Sequence, residues 1–137
     1  MRYEGGPRRV FVDAEEAMIH VDPLRIRQVV VNLVNNAREA TQGSAPVEIR
    51  GRRDRDGYTV EVLDRGTGLS DEVREHVFEP FFTTRRDGTG LGLAVCHGLV
   101  AAHGGTIRAE PRDGGGTRFV VDLPSVLVDD GPPEAQE

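Results

Sequence analysis

Apolar residues recur with the period of a helix along two stretches of the chain. The first stretch follows Asp22-Pro23, which is typical of a helix start with an acidic cap and a proline at the first helical position. Its apolar stripe consists of Ile26, Val29, Val30, Leu33, Ala37 and Ala40. The second stretch covers residues 90–103 and ends at two glycines, and a third, short helix is predicted from Ser70 to about Phe78. The pattern therefore predicts three helices.

Between the helices, apolar and polar residues alternate with the period of a strand. The predicted strands are residues 10–12, 17–21, 47–52, 58–64, 106–110 and 117–123. Consecutive strands are expected to form hairpins, the second of them around Arg55-Asp56-Gly57 and the third around the glycines of residues 113–116. We therefore expect an α+β or α/β sandwich, in which one sheet is covered on one face by helices.

The length and composition indicate one globular domain. A chain of 137 residues is long enough for a single core. We divide it into a leader or linker stub (1–7), a central domain (8–124) and an acidic flexible tail (125–137). No apolar run has the length of a membrane span, and the first residues lack the apolar stretch of a secretory signal. One cysteine, Cys96, excludes a disulfide within the chain. We expect a cytoplasmic location.

The charged residues exclude several functions. All 17 basic residues are arginines. The absence of lysine excludes a P-loop, the strand lysine of protein kinases and Schiff-base chemistry. The formal net charge is -6, so there is no basic field to attract nucleic acid, and no nucleic-acid partner is expected.

Two asparagines, Asn32 and Asn36, are one turn apart on the edge of the first helix's apolar stripe, whereas Asn35 points toward water. Asparagine is a poor helix former, so a pair on a half-buried face needs a reason. One interpretation is a hydrogen-bonded pair that satisfies neighbouring backbone groups. The other is a site for a hard cation such as Mg²⁺, which amide oxygens suit.

Two glycine motifs follow. Asp64-Arg65-Gly66-Thr67-Gly68 places a carboxylate at the end of a strand, beside glycines that permit close approach to the backbone, although alone it is commonly just a turn. The second motif, Gly88-Thr89-Gly90-Leu91-Gly92, opens a helix, where N–H groups and the dipole favour phosphate. Neither matches the dinucleotide-binding fingerprint. Between them, residues 78–87 indicate either a core plug with a surface turn or a lid over an anion.

The order of these motifs is more informative than any one of them. Asn-x-x-x-Asn, Asp-x-Gly-x-Gly, Phe-x-x-Phe and Gly-x-Gly-x-Gly resemble the N, G1, F and G2 boxes of the sensor histidine kinase catalytic domain, a member of the GHKL ATP-binding superfamily. The segment that begins at Phe78 is most similar to the nitrogen-regulation branch. The resemblance covers about residues 8–124, and it implies that this central domain is the catalytic and ATP-binding domain. It implies an α+β two-layer sandwich (the Bergerat fold), with a mixed, mostly antiparallel sheet covered on one face by three helices, and ATP and Mg²⁺ as cofactors.

The resemblance also implies roles for individual residues. Asp64 accepts a hydrogen bond from the adenine amino group, Asn36 is the Mg²⁺ ligand, and Asn32 supports the phosphate and metal region. Residues 79–89 form a lid over ATP, in which Arg85 or Arg86 meets the phosphates. The implied nucleotide-binding residues are Asn32, Asn36, Asp64, Gly66, Gly68, Phe81, Thr83, Arg85, Arg86, Gly88, Thr89, Gly90, Leu91, Gly92 and Thr117.

The same resemblance implies that catalysis needs a second domain. None of the four histidines lies in the His-acid-Leu-Arg-x-Pro context of the family's phospho-acceptor, so no catalytic residue is assigned within this chain. The expected partners are a separate histidine-containing dimerisation domain and, indirectly, a response regulator. We expect the isolated chain to be monomeric and unable to phosphorylate itself, and the parent protein to be a dimer that is either soluble or membrane-anchored.

Two other functions in the superfamily remain as alternatives, an ATP hydrolase or clamp and an anti-sigma-type serine kinase. The hydrolases generally place a glutamate four residues before the metal-binding asparagine to activate water. Here that residue is Asn32, which is not a base. The Phe78-Glu79-Pro80-Phe81-Phe82 segment argues against the serine kinase. Glu39 stands where many family members carry a basic residue, a departure that we expect this branch to tolerate.

Overall fold

One sheet forms the base of the molecule. The structure, a computed structural model, describes residues 2–3, 10–42, 45–55, 57–82 and 92–124. Its strands are β1 (Arg2–Tyr3), β2 (Val10–Ala14), β3 (Val47–Asp54), β4 (Gly57–Leu63), β5 (Thr106–Pro111) and β6 (Thr117–Pro124). They lie in the order β1-β2-β3-β4-β6-β5. β2 and β3 run parallel and the other described neighbours antiparallel, which confirms the mixed, mostly antiparallel sheet.

The helices are α1 (Pro23–Thr41), α2 (Asp71–His76) and α3 (Gly92–Ala102). The predicted start of α1 is confirmed, since the Asp22 carboxylate accepts hydrogen bonds from the backbone N–H of Leu24 at 3.1 Å and of Arg25 at 3.3 Å. Such a cap stabilises a helix by about 1 kcal/mol. None of the described helices combines the length and the apolar character that crossing a membrane requires.

The core lies between the sheet and the pair α1 and α3. The predicted stripe of α1 contributes the buried Val29, Leu33 and Ala37, and α3 contributes Cys96 and Val100. The sheet meets them with Val47, Val62, Ile107, Phe119, Val121 and Leu123. Burying a Val, Leu, Ile or Phe side chain contributes about 1.5–3 kcal/mol. This packing confirms the two-layer sandwich.

The opposite face of the sheet is charged. Successive residues of a strand point to opposite faces, so the side chains that alternate with the core residues of β4, β5 and β6 lie here. Arg118 pairs with Glu61 at 2.6 Å and with Glu110, and Arg108 pairs with Asp122 at 2.7 Å. These charged side chains suit a solvent-facing surface. This is consistent with helices that cover only the other face of the sheet.

The predicted hairpin between residues 10–12 and 17–21 is wrong. Residues 15–22 contain no strand, and β2 instead pairs parallel with β3, from Val10 opposite Val47 to Ala14 opposite Gly51. Past β2 the chain stays beside the sheet, because Glu15 N–H donates to the carbonyl of Gly51 at 3.0 Å and the Tyr58 hydroxyl donates to the carbonyl of Glu15 at 2.6 Å. Of the apolar residues in this stretch, Ile19 and Val21 pack against the core without joining a strand ladder, whereas Met18 is exposed.

Candidate functional site

Asp64 directly follows β4 and lies under the surface, with 1% of the residue exposed. Its Oδ1 accepts hydrogen bonds from the backbone N–H of Gly66 at 2.8 Å and of Thr117 at 3.2 Å. Burial raises the pKa of Asp64, while these two bonds and the charge of Arg112 act in the opposite direction. The carboxylate is therefore held in one orientation by main-chain donors from two separate segments of the chain.

The glycines of the first motif fit the loop after β4 against its neighbours. A Cβ on Gly66 would lie 2.5 Å from the carbonyl oxygen of Ala40, in the last turns of α1. Gly68 has φ +78, in the left-handed region that favours glycine. The close approach predicted for Gly66 is thus made by the chain's own helix, which joins the end of α1 to the loop that carries Asp64.

Thr117, at the start of β6, lies beside Asp64 and is buried. Asp64 N–H donates to the Thr117 carbonyl at 3.0 Å, while Thr117 N–H donates to the Asp64 side chain, so the two residues are joined by two hydrogen bonds. The preceding residue, Gly116, has φ +107, and a Cβ there would overlap with the carbonyl oxygen of Asp64. The structure therefore brings Asp64, Gly66, Gly68 and Thr117 into one cluster.

The asparagines of α1 lie as their spacing predicts, with Asn32 and Asn36 partly buried and Asn35 exposed. Asn32 Nδ2 donates a long hydrogen bond, 3.5 Å, to the carbonyl of Gly92, the first residue of α3. This supports the hydrogen-bonded interpretation for Asn32, and it also leaves the amide oxygen as the atom suited to a hard cation. Nearby Cys96 is buried, which raises the pKa of its thiol to about 11, so this thiol is not a nucleophile.

The phenylalanines before the second glycine motif separate in space. Phe78 packs on Phe119 at a ring distance of 6.1 Å and on His97 at 5.8 Å, so it plugs the core. Phe81 is 74% exposed with φ +67, and the structure does not bring it into the cluster around Asp64. Phe82 lies 5.9 Å from the ring of His76.

Part of the predicted site lies outside the described residues. This holds for Thr83, Arg85, Arg86, Gly88, Thr89, Gly90 and Leu91. The interpretation of residues 79–89 as a lid therefore stays a prediction. Within the described part of the chain, no group of three or more His, Cys, Asp or Glu side chains is placed to hold a metal ion.

His76, His97 and His103 make contacts that support the fold. His76 Nδ1 lies 2.7 Å from Glu79 Oε2, and His97 packs on Phe78. His103 joins the two long helices, since Nδ1 is 2.8 Å from the Leu99 carbonyl and Nε2 accepts from Asp22 N–H at 3.1 Å.

Arg112 is the residue that sequence reasoning missed. Its Nη1 donates to the carbonyl oxygen of Asp64 at 3.3 Å, and its Nη2 lies 3.1 Å from a carboxylate oxygen of Glu48. Only 7% of the side chain is exposed. No local signal identifies it, because it precedes a glycine-rich turn and looks like one of many surface arginines.

Comparisons with known proteins agree with this geometry. The family described as histidine kinase-, DNA gyrase B-, and HSP90-like ATPase matches residues 21–127. The sensor histidine kinase ZraS of Escherichia coli O157:H7 is 41% identical over 106 residues, which cover 77% of this chain and 23% of that protein. The chain thus spans less than a quarter of the length of this curated relative.

Solved structures show the same fold. The nucleotide-free catalytic domain of histidine kinase ThkA superimposes with a TM-score of 0.77 at 34% identity, covering 85% of this chain and 78% of that one. Full-length ShkA in complex with AMPPNP gives a TM-score of 0.73 at 30% identity, covering 84% of this chain and 25% of that one.

Proposed function

Because this chain belongs to the histidine kinase-, DNA gyrase B-, and HSP90-like ATPase family, we propose that it is the ATP-binding catalytic domain of a sensor histidine kinase. In this proposal it binds ATP with Mg²⁺ and transfers the γ-phosphoryl group to a histidine on a separate dimerisation domain. The observation that carries the proposal is the buried, backbone-held carboxylate of Asp64. The names of the relatives and the nucleotide analogue in ShkA support it.

We propose that Asp64 recognises the adenine of ATP. Two main-chain donors hold Oδ1, so we assign Oδ2 to the adenine amino group. A hydrogen bond to a charged acceptor contributes about 1.5–3 kcal/mol. Burial makes such a bond stronger than it would be in water. Gly66 and Gly68 shape the adjoining wall, and Thr117 lies beside the same carboxylate.

The phosphates are proposed to lie between α1 and the beginning of α3. Asn36 is assigned as a ligand of Mg²⁺, and Asn32 keeps α1 against the first residue of α3 through Gly92. Bound Mg²⁺ would neutralise negative charge on the phosphates. The implied phosphate and lid residues, Phe81, Thr83, Arg85, Arg86, Gly88, Thr89, Gly90, Leu91 and Gly92, keep the roles that the resemblance gives them.

A kinase is favoured over a hydrolase or clamp. Hydrolysis needs a base to activate water, and the neutral Asn32 stands where those relatives place glutamate. Phosphoryl transfer depends mainly on positioning an acceptor in line with the leaving oxygen. We therefore propose the dimerisation domain of a dimeric parent as the partner, a response regulator as the next acceptor, and the cytoplasm as the location. The assignment to the nitrogen-regulation branch stays a prediction.

Calorimetry of the 137-residue chain with a non-hydrolysable ATP analogue and Mg²⁺ tests the site. We expect Asp64→Asn to lower the affinity at least about tenfold, the size of one charge-assisted hydrogen bond. The exposed Asp13, which pairs with Arg52 on the far side of β3, provides the control Asp13→Asn and should bind as the wild type does. Equal affinities for the wild type and Asp64→Asn would remove Asp64 from the site.

Incubation with labelled ATP tests whether phosphoryl transfer requires the separate dimerisation domain. The isolated chain should acquire no acid-labile, base-stable phosphate, and adding the dimerisation segment should produce labelling on that segment. Strong phosphohistidine formation on the isolated chain would contradict the proposal.

A further inference from the structure

Arg112 occupies an unusual place among the arginines of the sheet. Arg108 pairs only with carboxylates in the described contacts, Glu110 and Asp122, and 49% of its side chain is exposed. Arg112 is far more buried and divides its donors between the carboxylate of Glu48 and the main-chain carbonyl of Asp64. Its guanidinium group thus joins β3 to the residue that follows β4.

The main chain around Arg112 fixes this side chain. Arg112 N–H donates to the carbonyl of Gly116 at 3.1 Å, and Gly115 N–H donates to the carbonyl of Arg112 at 3.0 Å, so the turn is closed at both ends. The same turn leads into Thr117, whose N–H holds Asp64 Oδ1. Asp64 is therefore held at its carboxylate and at its carbonyl by one short segment of chain.

We propose that Arg112 is a positioning residue for the recognition of adenine, which holds the main chain of Asp64 so that Oδ2 of its carboxylate faces the amino group of adenine. This inference rests on the proposed function. The guanidinium group of Arg112 beside the buried Asp64 also favours the charged form of the carboxylate. The charged carboxylate is the acceptor for the amino group of adenine. Burial raises the pKa of Asp64, and the charge of Arg112 acts against this rise.

The test compares ATP with inosine triphosphate, which has a carbonyl oxygen in place of the amino group. Calorimetry on the 137-residue chain should show that the wild type prefers ATP and that Asp64→Asn loses the preference. Arg112→Met should reduce the ratio of the two affinities about threefold to tenfold, as expected for coupling within one hydrogen-bonded network. The matched control Arg108→Met, on the same face of the sheet, should keep the wild-type ratio.

The outcomes separate the two proposals. No ATP binding, or no preference in the wild type, would overturn the proposed function and this inference with it. A preference that disappears in Asp64→Asn but persists in Arg112→Met would overturn only the role of Arg112. Equal weakening of both nucleotides in Arg112→Met would show a general structural role and would also overturn it.

A second variant decides the question if Arg112→Met does not fold. Glu48→Gln leaves Arg112 in place and removes the charged partner of its Nη2. It should reduce the preference for ATP in the same direction by a smaller factor. An unchanged preference in a folded Glu48→Gln protein would contradict the inference.

Discussion

Replacing Gly116 by alanine tests how tightly the β5–β6 turn is fitted to Asp64. Gly115 and Gly116 have nearly the same φ, +108 and +107. Their surroundings differ. A Cβ on Gly115 would meet no atom within 4 Å, whereas a Cβ on Gly116 would overlap with the carbonyl oxygen of Asp64. Gly115→Ala is therefore a matched control that carries the backbone strain without the contact.

The expected magnitudes follow from this difference. An alanine held at a backbone conformation that L residues rarely adopt costs about 1–3 kcal/mol, so Gly115→Ala should lower the free energy of unfolding by that amount. Gly116→Ala adds a steric displacement of main chain, and overpacking costs about 1–3 kcal/mol. Its total of about 2–6 kcal/mol is comparable with the lower part of the stability range of a typical domain, which is about 5–15 kcal/mol. The variant should fold while its Asp64 carboxylate is moved.

Urea unfolding followed by circular dichroism gives the stability, and calorimetry with an ATP analogue gives the affinity. We expect Gly116→Ala to lose at least about tenfold in affinity, because the hydrogen bond to the base is worth at least about 1.5 kcal/mol. Gly115→Ala should bind as the wild type does. Equal destabilisation by the two variants, or normal affinity in Gly116→Ala, would refute the reasoning.

Two further predictions concern the metal and the segment after α2. Asn36→Ala should weaken the binding of ATP with Mg²⁺ but preserve the affinity for metal-free ADP, both measured by calorimetry; equal losses would show that Asn36 supports the pocket and not the metal. The hydrogen bond that His76 donates to the carboxylate of Glu79 raises the pKa of His76 above its ordinary 6.5. The pair should therefore stabilise the fold fully below pH 6.5 and cease to do so as the pH rises through the raised pKa. Unfolding of the wild type and Glu79→Gln across this range should show the difference shrinking, and a constant difference would contradict it.

Sequence patterns predicted the elements whose causes are local. The stripe of α1, its Asp22-Pro23 start and the β3–β4 hairpin all follow from residues within one turn or one strand pair of each other. The failed prediction was long-range. Residues 17–21 have strand-like composition, but β2 pairs with β3, and the whole of α1 lies between these two strands in the sequence. Backbone pairing at that distance depends on how α1 packs, which no local period records.

The same distinction between local and long-range causes applies to the candidate site. The sequence alone determined that Asp64 ends a strand, that glycines follow it, and that Asn32 and Asn36 share one side of a helix, since each statement depends on neighbours along the chain. Only the tertiary structure decided that Thr117 N–H and Arg112 converge on Asp64, 48 and more residues away. The reason is that β4 and β6 are neighbours in the sheet, and their antiparallel register places the start of one beside the end of the other.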